Sequence, residues 1–93
     1  MGIPLVIIPT YNEKDNIVPL VTELLSTVPD LEILIVDDNS PDGTGELALE
    51  MSRQQNRAHL LRRPYKMGLG SAYLDGFKKT LSMERVSLIC TMD

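Results

Sequence analysis

Residues 32–44 read Glu32-Ile33-Leu34-Ile35-Val36-Asp37-Asp38-Asn39-Ser40-Pro41-Asp42-Gly43-Thr44, and this stretch decides the fold. A short, unbroken apolar run that stops at turn residues reads as a strand buried on both faces, the pattern of a parallel sheet. The design recurs on either side. Leu5 to Ile8 run into Pro9-Thr10-Tyr11-Asn12-Glu13, and Leu88 to Met92 run into Asp93. The carboxyl ends of strands in an open parallel sheet line one crevice, so acidic tips distant in sequence are expected to gather around one ligand.

Working outward, the strand-like segments are Pro4 to Ile8, Glu32 to Asp37, His59 to Arg62 and Val86 to Met92. Helix-like segments alternate with them, which favours βαβ units over hairpins. The first places Ile17, Leu20, Val21, Leu24, Leu25 and Val28 on one stripe, with Pro19 expected in its first turn. The second, Gly45 to Gln55, buries Leu47, Ala48 and Met51. The third repeats the stripe with Leu69, Ala72, Tyr73, Gly76, Phe77 and Leu81. Right-handed crossovers and a reversal after the third strand predict the sheet order 3-2-1-4, two helices on one face and the third on the other. One helix does not cover four strands, and parallel sheets have both faces covered. The chain therefore reads as the amino-terminal part of a larger domain.

Composition narrows the class without naming it. An apolar content of 43% with 24% charged residues excludes disorder and suits one small globular domain. The net charge of −4 argues against a nucleic-acid partner. Seven acids lie between Asp30 and Glu50 with no base among them, and Arg53, Arg57, Arg62, Arg63 and Lys66 follow with no acid; both runs read as solvated surface. Cys90 is the only cysteine, which excludes an intrachain disulfide, and the only histidine, His59, sits in a different strand pattern. A thiol nucleophile lacks its base. No apolar stretch approaches the ~20 residues of a membrane-spanning helix, and no basic leader precedes a long apolar region. The expected setting is the cytosol or the cytosolic face of a membrane.

Two clusters carry chemistry. The Pro9 to Glu13 turn offers an aromatic ring that can stack on a base and a carboxylate that can accept from sugar hydroxyls, a pairing suited to a nucleoside. Its alternative is a plain strand-to-helix turn in which Asn12 or Glu13 caps the helix. At the second strand, successive side chains alternate, so one of Asp37 and Asp38 faces the crevice and the other is structural. A charged hydrogen bond from a base N–H to Asp38 is worth about 1.5–3 kcal/mol, the loss expected of Asp38→Asn. Either Asp42 or Thr44 reads as the cap of the second helix. Gly43-Thr44-Gly45-Glu46-Leu47-Ala48 matches G-x-G-x-x-A, but the dinucleotide fingerprint belongs in the tight turn after the first strand.

Together these residues resemble family 2 inverting glycosyltransferases of the dolichol-phosphate (polyprenol-phosphate) mannosyltransferase type. The matching pieces are Ile8 to Glu13, Ile35 to Thr44, Arg63-Pro64 with Lys66 and Gly68 to Tyr73, and Thr91-Met92-Asp93. The glycine-tyrosine segment narrows the resemblance to the polyprenol-phosphate branch. It implies a partial GT-A (Rossmann-like) α/β fold of three layers, with residues 1–93 as the nucleotide-sugar-binding half, truncated at the Asp-x-Asp motif. By position, Pro9, Tyr11 and Glu13 would hold base and ribose, Val36 and Asp38 the base, and Asp93 the metal, a Mg or Mn ion on the donor diphosphate.

The implied reaction is transfer of mannose from GDP-mannose to a polyprenol (dolichol) phosphate with inversion, in a full protein that associates with a membrane. The fragment alone would be inactive, and none of its residues is assigned as catalytic. Three other readings stay open at this point: a polyprenol-phosphate glucosyltransferase using UDP-glucose, a nucleotide-binding module without transferase activity, and a generic dinucleotide-dependent enzyme.

Overall fold

The computed structural model describes residues 3–64, 71, 75–76, 78–79 and 86–91. Among them the chain runs β1 (Ile3–Thr10), α1 (Lys14–Thr27), β2 (Glu32–Asp37), α2 (Thr44–Gln54), β3 (Ala58–Arg62) and β4 (Val86–Thr91). All strand pairs are parallel and the order is β3-β2-β1-β4, as the apolar runs predict. β2 coincides with the expected segment, and all six of its residues are buried, which is why it reads as a continuous apolar run.

Alternation splits the core into two layers. Val6, Ile8, Ile33 and Ile35 meet Ile17 and Val21 of α1 and Ala48 and Met51 of α2 on one face. Leu5, Ile7, Leu34 and Val36 pack together on the other. Ser71, Asp75, Gly76, Lys78 and Lys79 are helical. A Cβ on Gly76 would stand 2.9 Å from Ile7 Cγ2, so this helical backbone lies directly on the second face. The placement agrees with the expected third helix; Leu69, Ala72, Tyr73, Phe77 and Leu81 lie outside the described residues.

One expectation is corrected. α1 begins at Lys14, which puts Pro19 in the second turn instead of the first. Its missing N–H leaves the Asp15 carbonyl without a helical donor, a loss tolerated because Asp15 is exposed to water. The carboxyl end of α1 is tied down by Arg57, whose guanidinium donates to the carbonyls of Leu25 (2.7 Å), Leu31 (3.2 Å) and Val28 (3.3 Å). No helix among the described residues is long and apolar enough to cross a membrane.

Candidate functional site

The loops after β1 and β2 lie side by side because their strands are neighbours, and they are strapped together by bonds between residues 27 to 31 positions apart. Asp38 N–H donates to the Thr10 carbonyl at 3.2 Å. The next three donors fall in succession along the first loop. Asn12 N–H donates to Ser40 Oγ (3.0 Å), Glu13 N–H to Thr44 Oγ1 (3.0 Å) and Lys14 N–H to Asp42 Oδ2 (3.1 Å). Asp42 Oδ1 also accepts from the N–H and hydroxyl of Thr44. One carboxylate thus receives the first N–H of both helices, groups that have no partner within a helix. These bonds, the Thr44 hydroxyl first, lower the Asp42 pKa below its ordinary 3.8.

This arrangement corrects the expected capping. Glu13 occupies the N-cap position of α1 but makes no side-chain cap; its Oε2 accepts from Asn16 Nδ2 at 3.1 Å. The N-cap residue of α2 is Gly43, not Asp42 or Thr44, yet Asp42 receives the first N–H of both helices, which the local sequence does not show because the two helix starts are adjacent only in space. The chain turns sharply at Asn12 and Asn39, both left-handed (φ 58° and 54°), a conformation asparagine tolerates better than most residues.

The two aspartates point opposite ways. Asp37, fully buried, accepts from the hydroxyls of Thr10 and Ser40 (both 2.7 Å) and from Ser40 N–H (3.1 Å). These bonds make it a structural group. Asp38 turns to the other face, where Arg63 Nε and Nη2 donate to its two oxygens at 2.6 and 2.8 Å. Arg63, only 4% exposed, reaches on through Nη1 to Ser71 Oγ (2.9 Å) and Asp75 Oδ2 (3.1 Å). The bonds to Asp38 raise the guanidinium's pKa against the opposing effect of burial. The fork joins the end of β3 to the tip of β2 and to the helical residues Ser71 and Asp75. The basic run in the sequence gave no sign that one of its arginines is buried.

Of the residues expected at the site, Tyr11 stands out from the turn at 38% exposed, and Pro9 and Glu13 line a pocket of ≈ 190 Å³ with Thr10 and Asn16. Val36 is fully buried in the second core layer, on a strand paired on both sides. Asp93 and Lys66 lie outside the described residues. No group of three or more His, Cys, Asp or Glu among the described residues can hold a metal ion. The fingerprint reading of residues 43–48 fails on geometry. A Cβ on Gly45 would lie 2.9 Å from Asp37 Oδ2, so the glycine is needed for packing against a buried carboxylate. The start of α1, where a dinucleotide-binding sheet receives its pyrophosphate, has residues 12–14 already bonded to Ser40, Thr44 and Asp42.

A parallel sheet covered on both faces, with its polar motifs at the carboxyl ends of β1 and β2, defines an α/β protein of the kind that takes ligands at that edge. Residues 5–93 match the family described as Glycosyl transferase family 2, and the chain belongs to that family. It is 51% identical over 74 residues to the polyprenol monophosphomannose synthase of Mycolicibacterium smegmatis, a match covering 78% of this chain and 28% of that protein. It is 45% identical over 74 residues to the undecaprenyl-phosphate mannosyltransferase of Micrococcus luteus, covering 80% and 30%. The mannosyltransferase PcManGT of Pyrobaculum calidifontis, solved in complex with GDP-Man and Mn2+, superposes with a TM-score of 0.62 at 27% identity, covering 82% of this chain and 24% of that one. The chain spans less than a third of the length of each of these proteins. Family and fold agree with the resemblance.

Proposed function

We propose that this chain binds the donor nucleotide in transfer of mannose from GDP-mannose to a polyprenol phosphate, with inversion at the anomeric carbon. The observation that carries the reading is the strapped pair of loops, which holds the turn bearing the exposed Tyr11 and Glu13 at the carboxyl end of β1, next to the end of β2 that bears Asp38. The mannosyl and polyprenol-phosphate names of the relatives support it. Tyr11 stacks on the guanine, Glu13 accepts from ribose hydroxyls and Asp38 accepts from a guanine N–H. The acceptor needs no strong base from the protein. A phosphate monoester has a second pKa of about 6, so its oxygen is already ionised near neutral pH.

A Mg or Mn ion belongs to this proposal, held through Asp93. Such an ion on a nucleotide takes one or two carboxylates and the substrate's phosphates, a mode that needs no three-carboxylate centre. When bound, it would supply neutralising charge to the departing diphosphate. Membrane association and a place on the cytosolic face are part of the same reading.

Calorimetry of the protein with GDP-mannose and Mn2+ tests it. Saturable one-site binding is expected. No binding would overturn the reading, and tight binding of UDP-glucose in its place would turn it to a glucosyltransferase.

A further inference from the structure

We propose that Asp42, acting through Thr44, is a positioning residue of the donor site, holding the turn that carries Tyr11 and Glu13 in its ligand-ready shape. The inference rests on the donor-site reading above. Residues 12–14 have no strand partner and their N–H groups lie ahead of the first helical donors of α1, so no helical or strand bond orders them. Each is received by a side chain of the 40–44 loop.

The loop is itself immobilised. Ser40 is bonded to the buried Asp37 through both its N–H and its hydroxyl. Thr44 is fully buried, and its hydroxyl gives its single proton to Asp42 while accepting from Glu13 N–H. That hydroxyl links Asp42 to the Glu13 N–H, beside the direct bond from Lys14 N–H to Asp42 Oδ2. Its two-sided use also explains a threonine at the start of α2, since serine or threonine alone can donate and accept from one oxygen there. Placing a binding group to within a fraction of an ångström depends on such supporting contacts, so their loss is read at the ligand even when the fold survives.

The discriminating variants are Thr44→Val, which keeps the shape and removes the hydroxyl, and Thr44→Ser, which restores it. Two measurements are made on each: affinity for GDP by calorimetry, and hydrogen exchange at the amides of residues 12–14 by NMR. Thr44→Val is expected to keep the sheet's spectrum, lose protection at Glu13 and bind GDP about tenfold more weakly, the equivalent of one ordinary hydrogen bond. Thr44→Ser is expected within about twofold of the unsubstituted chain, since it retains the donor and acceptor. Should Thr44→Val fail to fold, Asp42→Asn takes its place, with loss of protection expected at Lys14 and the same weakening.

A folded variant that is less stable but binds GDP with unchanged affinity would reduce the contact to a structural one and overturn the proposal. Undiminished protection at Glu13 would do the same. If the unsubstituted chain does not bind GDP, the donor-site reading itself fails, and the positioning role falls with it.

Discussion

Replacing Arg63 by methionine should be the most damaging single change at this site, and the structure sets its size. Arg63 and Asp38 are 4% and 6% exposed, and the guanidinium supplies a donor to each oxygen of the carboxylate at 2.6 and 2.8 Å. Arg63→Met leaves Asp38 charged, buried and without that fork, a change that costs about 3–5 kcal/mol at comparable sites. The arm to Asp75 adds little, because that carboxylate is a third exposed. A domain of this length has a total stability of about 5–14 kcal/mol, so about a fifth or more is lost. Arg63→Lys keeps the charge but concentrates it at one point, and should fall between the two. The double variant Arg63→Met with Asp38→Leu removes both charges and fills the space with apolar atoms. It should recover most of the loss, because replacing a buried pair is commonly neutral or stabilising. Urea unfolding followed by circular dichroism, applied to the parent, Arg63→Met, Asp38→Leu and the double variant, completes a double-mutant cycle. A cost below about 1 kcal/mol for Arg63→Met, or a double variant no better than the sum of the singles, would refute the pairing as a buried, coupled unit.

The remaining predictions concern single positions. Asp42 has its pKa lowered in the fold, so its carboxylate contributes stability that is present above the ordinary value of 3.8 and lost as pH falls through the lower folded value. Urea midpoints measured between about pH 5 and pH 2 should therefore fall less steeply for Asp42→Asn, and parallel curves would contradict the linkage. Gly76→Ala should destabilise by about 1–3 kcal/mol despite alanine's better helix propensity, because the new Cβ meets the fully buried Ile7 at 2.9 Å; a variant as stable as the parent in thermal melts would rule out that close approach. Gly45→Ala should cost a similar ~1–3 kcal/mol, since Arg62 can swing into solvent but Asp37 is held by Thr10 and Ser40. Unchanged stability with retained amide protection at Ser40 in that variant would show that the new methyl group is accommodated without displacing Asp37.

Hydrophobic pattern and turn residues were enough to specify the element order, the parallel sheet and the sequence 3-2-1-4, because strands buried on both faces must be apolar throughout and crossovers have one hand. The opposite directions of Asp37 and Asp38 were legible too, since the two-residue period of a strand is local geometry. Other features were decided only in three dimensions. That Asp42 serves two helix starts depends on β1 and β2 being neighbours, which brings Lys14 and Thr44 together across 30 residues. That Arg63 is the buried arginine of a basic run depends on β3 ending beside β2 within reach of the helical residues Ser71 and Asp75. A sequence states which groups are available and which way they alternate. Which donor meets which acceptor is settled by the packing of the strands that carry them, because hydrogen bonds act over about 3 Å while the partners lie 25 to 31 residues apart.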